Sequence, residues 1–132
     1  MYFLNQEMYP DLTAGEAIAR IQKQIDGFWK LVYICSPFRG DEEANQEKAR
    51  GYCRMAVARH CLPLAPHLLF PQFLHDGNSM ERLVAMKLNS ILLGKSHELW
   101  VFGPDITEGM SEEISWAKKY GKPIRYFNKE EI

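Results

Sequence analysis

The chain has 132 residues, enough for one domain around one core. Hydrophobic residues make up 46% and charged residues 25%, an ordinary balance for a globular protein. The formal net charge of -1 argues against a broad nucleic-acid footprint or a polybasic membrane patch, but leaves room for a small local anion site.

In chain order, residues 1–11 read as irregular, with Tyr9-Pro10-Asp11 as a break. Thr13 followed by Glu16 is a capping-box pattern. Ala17, Ile18, Ile21 and Ile25 then recur at helical spacing up to Gly27. No basic region or long apolar stretch marks a signal peptide, and no run approaches the roughly 20 apolar residues of a membrane span. Leu31–Cys35 is a short apolar, β-favouring run and reads as the first core strand. Ser36-Pro37-Phe38-Arg39-Gly40-Asp41 breaks it. A helix is expected from about Glu43 to His60, with Ala49, Tyr52, Cys53, Ala56 and Val57 on one face. Leu62–Pro66 reads as the second strand, and its prolines place it at an edge or a strand end.

His67 to Gly77 reads as a loop with at most one helical turn. Asn78 or Ser79 caps the next helix, with Leu83, Val84, Leu88, Ile91 and Leu92 as its expected buried stripe. Glu98–Phe102 is the third strand and Gly109–Tyr120 a helix, which Gly121-Lys122-Pro123 ends. Ile124–Phe127 is the last strand. Alternating strands and helices imply one three-layer α/β domain. The expected sheet is parallel and flavodoxin- or Rossmann-like, with four to five strands, and an extra helix precedes it. Cys35, Cys53 and Cys61 lack metal-like spacing and are odd in number. They read as reduced thiols of a cytoplasmic protein.

Parallel strands put their carboxyl ends on one rim, where ligands bind in open α/β sheets. That rim would gather Ser36–Gly40, Ala65–His67 and Gly103–Gly109, and with them Tyr33 and Glu113. Arg39 can clamp an anion bidentately or simply pair with Asp41 or Glu42 on the surface. Glu113 falls between Met110 and Ala117 on the apolar face of its helix, where a carboxylate is either buried or at a pocket rim. Glu112 beside it reads as a solvated charge favoured by the helix dipole. His67 can donate to a ligand or be held within its own loop. Asn89 reads as a helix-face amide among apolar neighbours. Trp29, Trp100 and Trp116 read as core or interface residues unless one lines the cleft.

Two motifs carry a family resemblance. Val-Tyr-Ile-Cys-Ser-Pro-Phe-Arg-Gly at 32–40 resembles the first strand and phosphate loop of the nucleoside 2-deoxyribosyltransferase superfamily. Thr-x-Gly-x-x-x-Glu-x-x-x-Ala at 107–117 resembles the element that holds its catalytic glutamate. The branch with a known reaction that it looks most like is the 2′-deoxynucleoside 5′-phosphate N-hydrolases. The chain also looks like an uncharacterised phage- or bacterium-encoded subgroup.

The resemblance implies Glu113 as nucleophile and Tyr33 as the residue that holds it or the sugar. Ser36, Arg39, Gly40, Thr107 and the Gly109 amide would bind a 5′-phosphate, with His67 near the base or sugar. Asn89 stands where the family commonly has an aspartate that protonates or orients the leaving base. Another frequent aspartate is His97 here, and a family glycine is Ser115; Met110 and Glu112 also differ from the family's usual residues. Implied with these are a nucleoside or nucleotide ligand, no metal or other cofactor, no nucleic-acid polymer or membrane, and a homodimer or larger homo-oligomer. Arg39 favours a phosphorylated substrate, and Asn89 favours a nucleotide-binding or sensing domain with weak turnover. Residues 1–30 are expected to form an extension that acts as a lid or oligomer contact, and 31–132 the α/β domain.

Overall fold

A computed structural model describes residues 13–128. The expected irregular segment 1–11 lies outside them. The elements run α1 (Ala14–Ile25), β1 (Lys30–Cys35), α2 (Glu42–Ala58), β2 (Cys61–Leu64), two 3₁₀ turns (Pro66–Leu68 and Phe70–Gln72), α3 (Ser79–Lys95), β3 (Glu98–Phe102), α4 (Glu108–Lys119) and β4 (Ile124–Phe127). All strand pairs are parallel and the sheet order is β2-β1-β3-β4. This is the expected α/β domain, with four strands among the described residues. Pro63 sits on edge strand β2, where its missing N–H leaves the ladder intact.

Strand alternation divides the core into two layers. Val32, Ile34, Trp100, Phe102 and Phe127 face α2, whose Tyr52 and Ala56 are buried against them. The Tyr52, Phe102 and Phe127 rings stack, with centroids 4.2 and 4.8 Å apart. Tyr33, Cys35, Leu99 and Val101 face the other way, onto Leu93 of α3 and Met110, Ile114 and Ala117 of α4. One step of register in β1 would therefore move Tyr33 from the α4 layer to the α2 layer.

The caps follow the sequence. Thr13 accepts from the Glu16 amide at 3.1 Å, Asp41 from Ala44 at 3.1 Å, and Asn78 from both Met80 and Glu81. The region after β2 forms two short 3₁₀ turns where at most one turn was expected. Prolines at Pro66 and Pro71 start each turn without a continuing donor.

Helix α3 corrects the expected stripe. Leu83, Val84 and Ile91 are exposed, at 62%, 42% and 43%. The face turned inward carries Ala85, Met86, Asn89, Leu92 and Leu93, with Leu93 wholly buried. The helix leans on the cleft edge rather than lying flat over the sheet. A polar asparagine thus takes an inward position while Leu83, Val84 and Ile91 remain outside. Helix α1 buries none of its residues, and Ile18 is 64% exposed. No described helix is long and apolar enough to cross a membrane.

Candidate active site

The carboxyl ends of the strands open into a cleft of about 240 Å³ between the β1–α2 loop, the 3₁₀ turns, α3 and the start of α4. Its lining includes Ser36, Phe38, Arg39, His67, Phe70, Arg82, Met86, Asn89, Thr107, Gly109, Met110, Glu113 and Trp116. Four chain segments thus meet, those after β1, β2 and β3 because parallel strands end on one side.

Glu113 lies one turn into α4 and is only 5% exposed. The Tyr33 hydroxyl, fully buried on β1, donates to its Oε2. The Cys35 thiol lies beside the same carboxyl and donates to the Met110 carbonyl at 3.9 Å. Burial pushes the Glu113 carboxyl up to about 7, while Tyr33 and Cys35 pull it down and the Glu112 charge pushes it up. Burial and the Glu113 carboxylate hold the Tyr33 phenol well above its ordinary range, so Tyr33 remains the donor of the pair. A carboxyl poised near neutrality beside an open cleft can attack an electrophilic carbon or exchange a proton there.

His67 reaches the carbonyl oxygen of Ser36 through Nε2 at 2.9 Å and stacks on Phe38, with centroids 4.8 Å apart. A carbonyl only accepts, so Nε2 carries the proton. Burial lowers the His67 pKa below its ordinary value, against an opposing pull from that carbonyl and from Asp76. The imidazole is therefore neutral at pH 7, with its donor committed inside the protein.

Arg39 pairs with Asp76 through Nε at 2.6 Å, rather than with Asp41 or Glu42. Asp41 is instead occupied as the α2 cap. Thr107 caps α4, its Oγ1 accepting from the Met110 amide at 3.2 Å. Replacing Thr107 with alanine is expected to lower stability by about 1 kcal/mol, read from urea unfolding, because that amide loses its acceptor. Gly109 opens onto free space, so its missing side chain leaves the helix start accessible. Gly40 does not line the cleft; it turns the loop with φ +100°.

Two buried polar atoms at the cleft have no partner: Ser36 Oγ and Asn89 Oδ1. Buried polar atoms are normally satisfied, so each is placed to receive a ligand group or water. Asn89 is thus in the cleft rather than on a plain helix face. Trp116 also lines the cleft, while Trp100 is core and Trp29 stacks on His60. His97 lies at the other end of the sheet, where its Nδ1 accepts from the Leu31 amide at 2.9 Å. Sequence reasoning did not single out Phe38, Phe70, Asp76, Arg82 and Met86. For Arg82 and Met86 the signal was an i, i+3, i+4, i+7 inward face at 82, 85, 86 and 89, masked by the apolar residues of the outer face; Phe38, Phe70 and Asp76 lie outside the α-helices and strands and gave none. Among the described residues, no group of three or more His, Cys, Asp or Glu side chains is placed to hold a metal ion.

The fold and cleft define an α/β domain with a carboxylate buried at the switch between strand ends. The chain belongs to a domain family of unknown function, DUF7768, whose model matches residues 30–127. Among solved structures, a 2-deoxyribosyltransferase from the psychrotolerant bacterium Bacillus psychrosaccharolyticus has a similar fold. The TM-score is 0.62 at 16% identity, over 74% of this chain and 72% of that one. No curated protein matches the chain.

Proposed function

We propose that the cleft cleaves the N-glycosidic bond of a nucleoside or nucleotide, or transfers its deoxyribosyl group, through a glycosyl ester on Glu113. The observation that carries this reading is the buried Glu113–Tyr33 pair opening onto a cleft with aromatic walls. The fold likeness to a 2-deoxyribosyltransferase supports it. Breaking such a bond builds positive charge on the sugar, which an adjacent carboxylate stabilises and then captures. Water or a second base releases the sugar, as in retaining glycosidases.

In this reading Tyr33 orients the nucleophile and Asn89 faces the leaving base. Ser36, Arg39, His67, Thr107 and the Gly109 amide surround the sugar and its 5′ end. Gly40 acts on that group only through the turn that carries Arg39. Residues 1–30 form an extension outside the catalytic domain. The start of the family match at residue 30 and the exposed apolar side of α1 support this division and a contact between copies.

The test is release of free base from a panel of nucleosides, deoxynucleosides and their 5′-phosphates, with Glu113→Ala as control. Base release by the wild type, its loss in the variant and a wild-type mass increase equal to one glycosyl residue (the sugar less one water) are expected. Activity that survives Glu113→Ala removes the mechanism. The neutral Asn89 amide favours the second reading, a nucleotide-binding domain with weak turnover. That reading predicts saturable binding by calorimetry without base release.

A further inference from the structure

The charges and proton donors around the cleft are an odd match for an ordinary uncharged base. Five carboxylates line it, those of Asp76, Glu81, Glu108, Glu112 and Glu113, against two guanidiniums, Arg39 and Arg82. Arg39 and Asp76 pair at 2.6 Å and cancel, and Arg82 is exposed at the rim together with Glu108 and Glu112, which leaves the half-buried Glu81 and the buried Glu113 as the inner charges and an acidic excess over the whole lining. The field inside therefore favours a cation over a dianionic phosphate. Phe38, Phe70 and Trp116 add aromatic faces, which attract a delocalised cation.

Proton supply points the same way. An uncharged base is a poor leaving group unless an acid protonates it as the bond breaks. Asn89 is an amide and cannot do so. His67 is neutral, and its one N–H is held by the Ser36 carbonyl. Tyr33 donates to Glu113. His75 lies at the exposed rim. What the buried wall offers instead is the unpartnered Asn89 Oδ1, the negative end of an amide dipole.

We propose that the cleft takes N-glycosides whose heterocycle already carries a positive charge, of the pyridinium or N7-alkylpurine nucleoside class. This rests on the reading of Glu113 as the glycosyl acceptor. A Glu113 carboxylate oxygen bonds to the anomeric carbon as the carbon–nitrogen bond breaks. The bonding pair goes to the ring, quenches its charge, and the base leaves neutral. No proton moves in this step. Water then adds to the anomeric carbon, the ester oxygen returns to Glu113 as carboxylate, and one proton passes to solvent. Asn89 orients the cationic ring, and the acidic lining concentrates it.

The experiment compares guanosine with N7-methylguanosine, and 2′-deoxyguanosine with its N7-methyl derivative, each corrected for spontaneous hydrolysis. Nicotinamide riboside serves as a pyridinium probe. Within a sugar type, kcat/KM is expected to be at least about 100-fold higher for the charged member. The pH profile for nicotinamide riboside, whose pyridinium charge does not titrate, is expected to rise with ionisation of one group and then stay flat, since no protonated acid is required. Asn89→Leu is expected to lower kcat/KM for the charged member at least tenfold more than for the uncharged one. Equal rates within each pair, or a bell-shaped profile for nicotinamide riboside, overturns the proposal. Glu113-dependent cleavage of uncharged nucleosides in those cases leaves the glycosyl-transfer reading standing. Cleavage of neither class overturns both.

Discussion

Replacing Glu113 with glutamine is expected to abolish base release and, at the same time, to stabilise the folded protein above neutral pH. The loss of turnover should be on the order of 10³-fold or more, as for removal of other covalent nucleophiles. Glutamine keeps the side-chain volume and can still accept the Tyr33 hydroxyl through its amide oxygen. A loss of activity with unchanged near-UV circular dichroism therefore reports on chemistry rather than on folding.

The stability gain follows from the same burial. The Glu113 carboxyl lies at about 7 in the folded protein, against 4.5 as its ordinary value. Between those two values the folded state holds a proton that the unfolded state has released. Stability from this group is therefore full below pH 4.5, falls as pH rises, and is lost once pH passes about 7. A shift of that size corresponds to about 3 kcal/mol. Glu113→Gln carries no charge to bury. Its advantage over the wild type should be negligible near pH 4.5, grow with pH and level off near pH 8. Urea midpoints measured for both proteins across that range decide it. A difference that does not change with pH would show that the wild-type carboxylate is not buried.

A residue that destabilises the native state by staying ionised is the kind of conflict that marks a functional position. It was visible in the sequence because α4 has a clear apolar face, Met110, Ile114 and Ala117, with Glu113 set within it. The strands were equally legible, since Leu31–Cys35 and Leu99–Phe102 are continuous apolar runs of a sheet buried on both sides. Helix α3 was not. Its Leu83, Val84 and Ile91 point to solvent, and the side that faces the cleft carries Arg82, Ala85, Met86 and Asn89. Hydrophobic periodicity locates the face that would be buried by default. It carries no signal for a face turned to a cleft, where polar and apolar positions mix. The Arg39–Asp76 pair was hidden for a different reason. It joins residues 37 positions apart across a loop whose two 3₁₀ turns have no periodicity to read.

Tyr33→Phe is expected to displace the pH dependence of the reaction rather than to remove it. The Tyr33 hydroxyl hydrogen-bonds Glu113 and, with the Cys35 thiol beside it, holds the carboxyl down against burial. A hydrogen bond to a charged group is worth roughly 1.5–3 kcal/mol, so losing it should raise the carboxyl by about one to two further pH units. At pH 7 a smaller fraction of Glu113 is then ionised, and turnover should drop about 5- to 50-fold, in line with that shift. At pH 9 the carboxylate is restored, and much of the deficit should disappear. A Tyr33 that bound only the sugar would give a different result: a raised KM with the midpoint of the kcat profile unchanged. An unmoved midpoint would therefore assign Tyr33 to substrate binding rather than to control of the nucleophile.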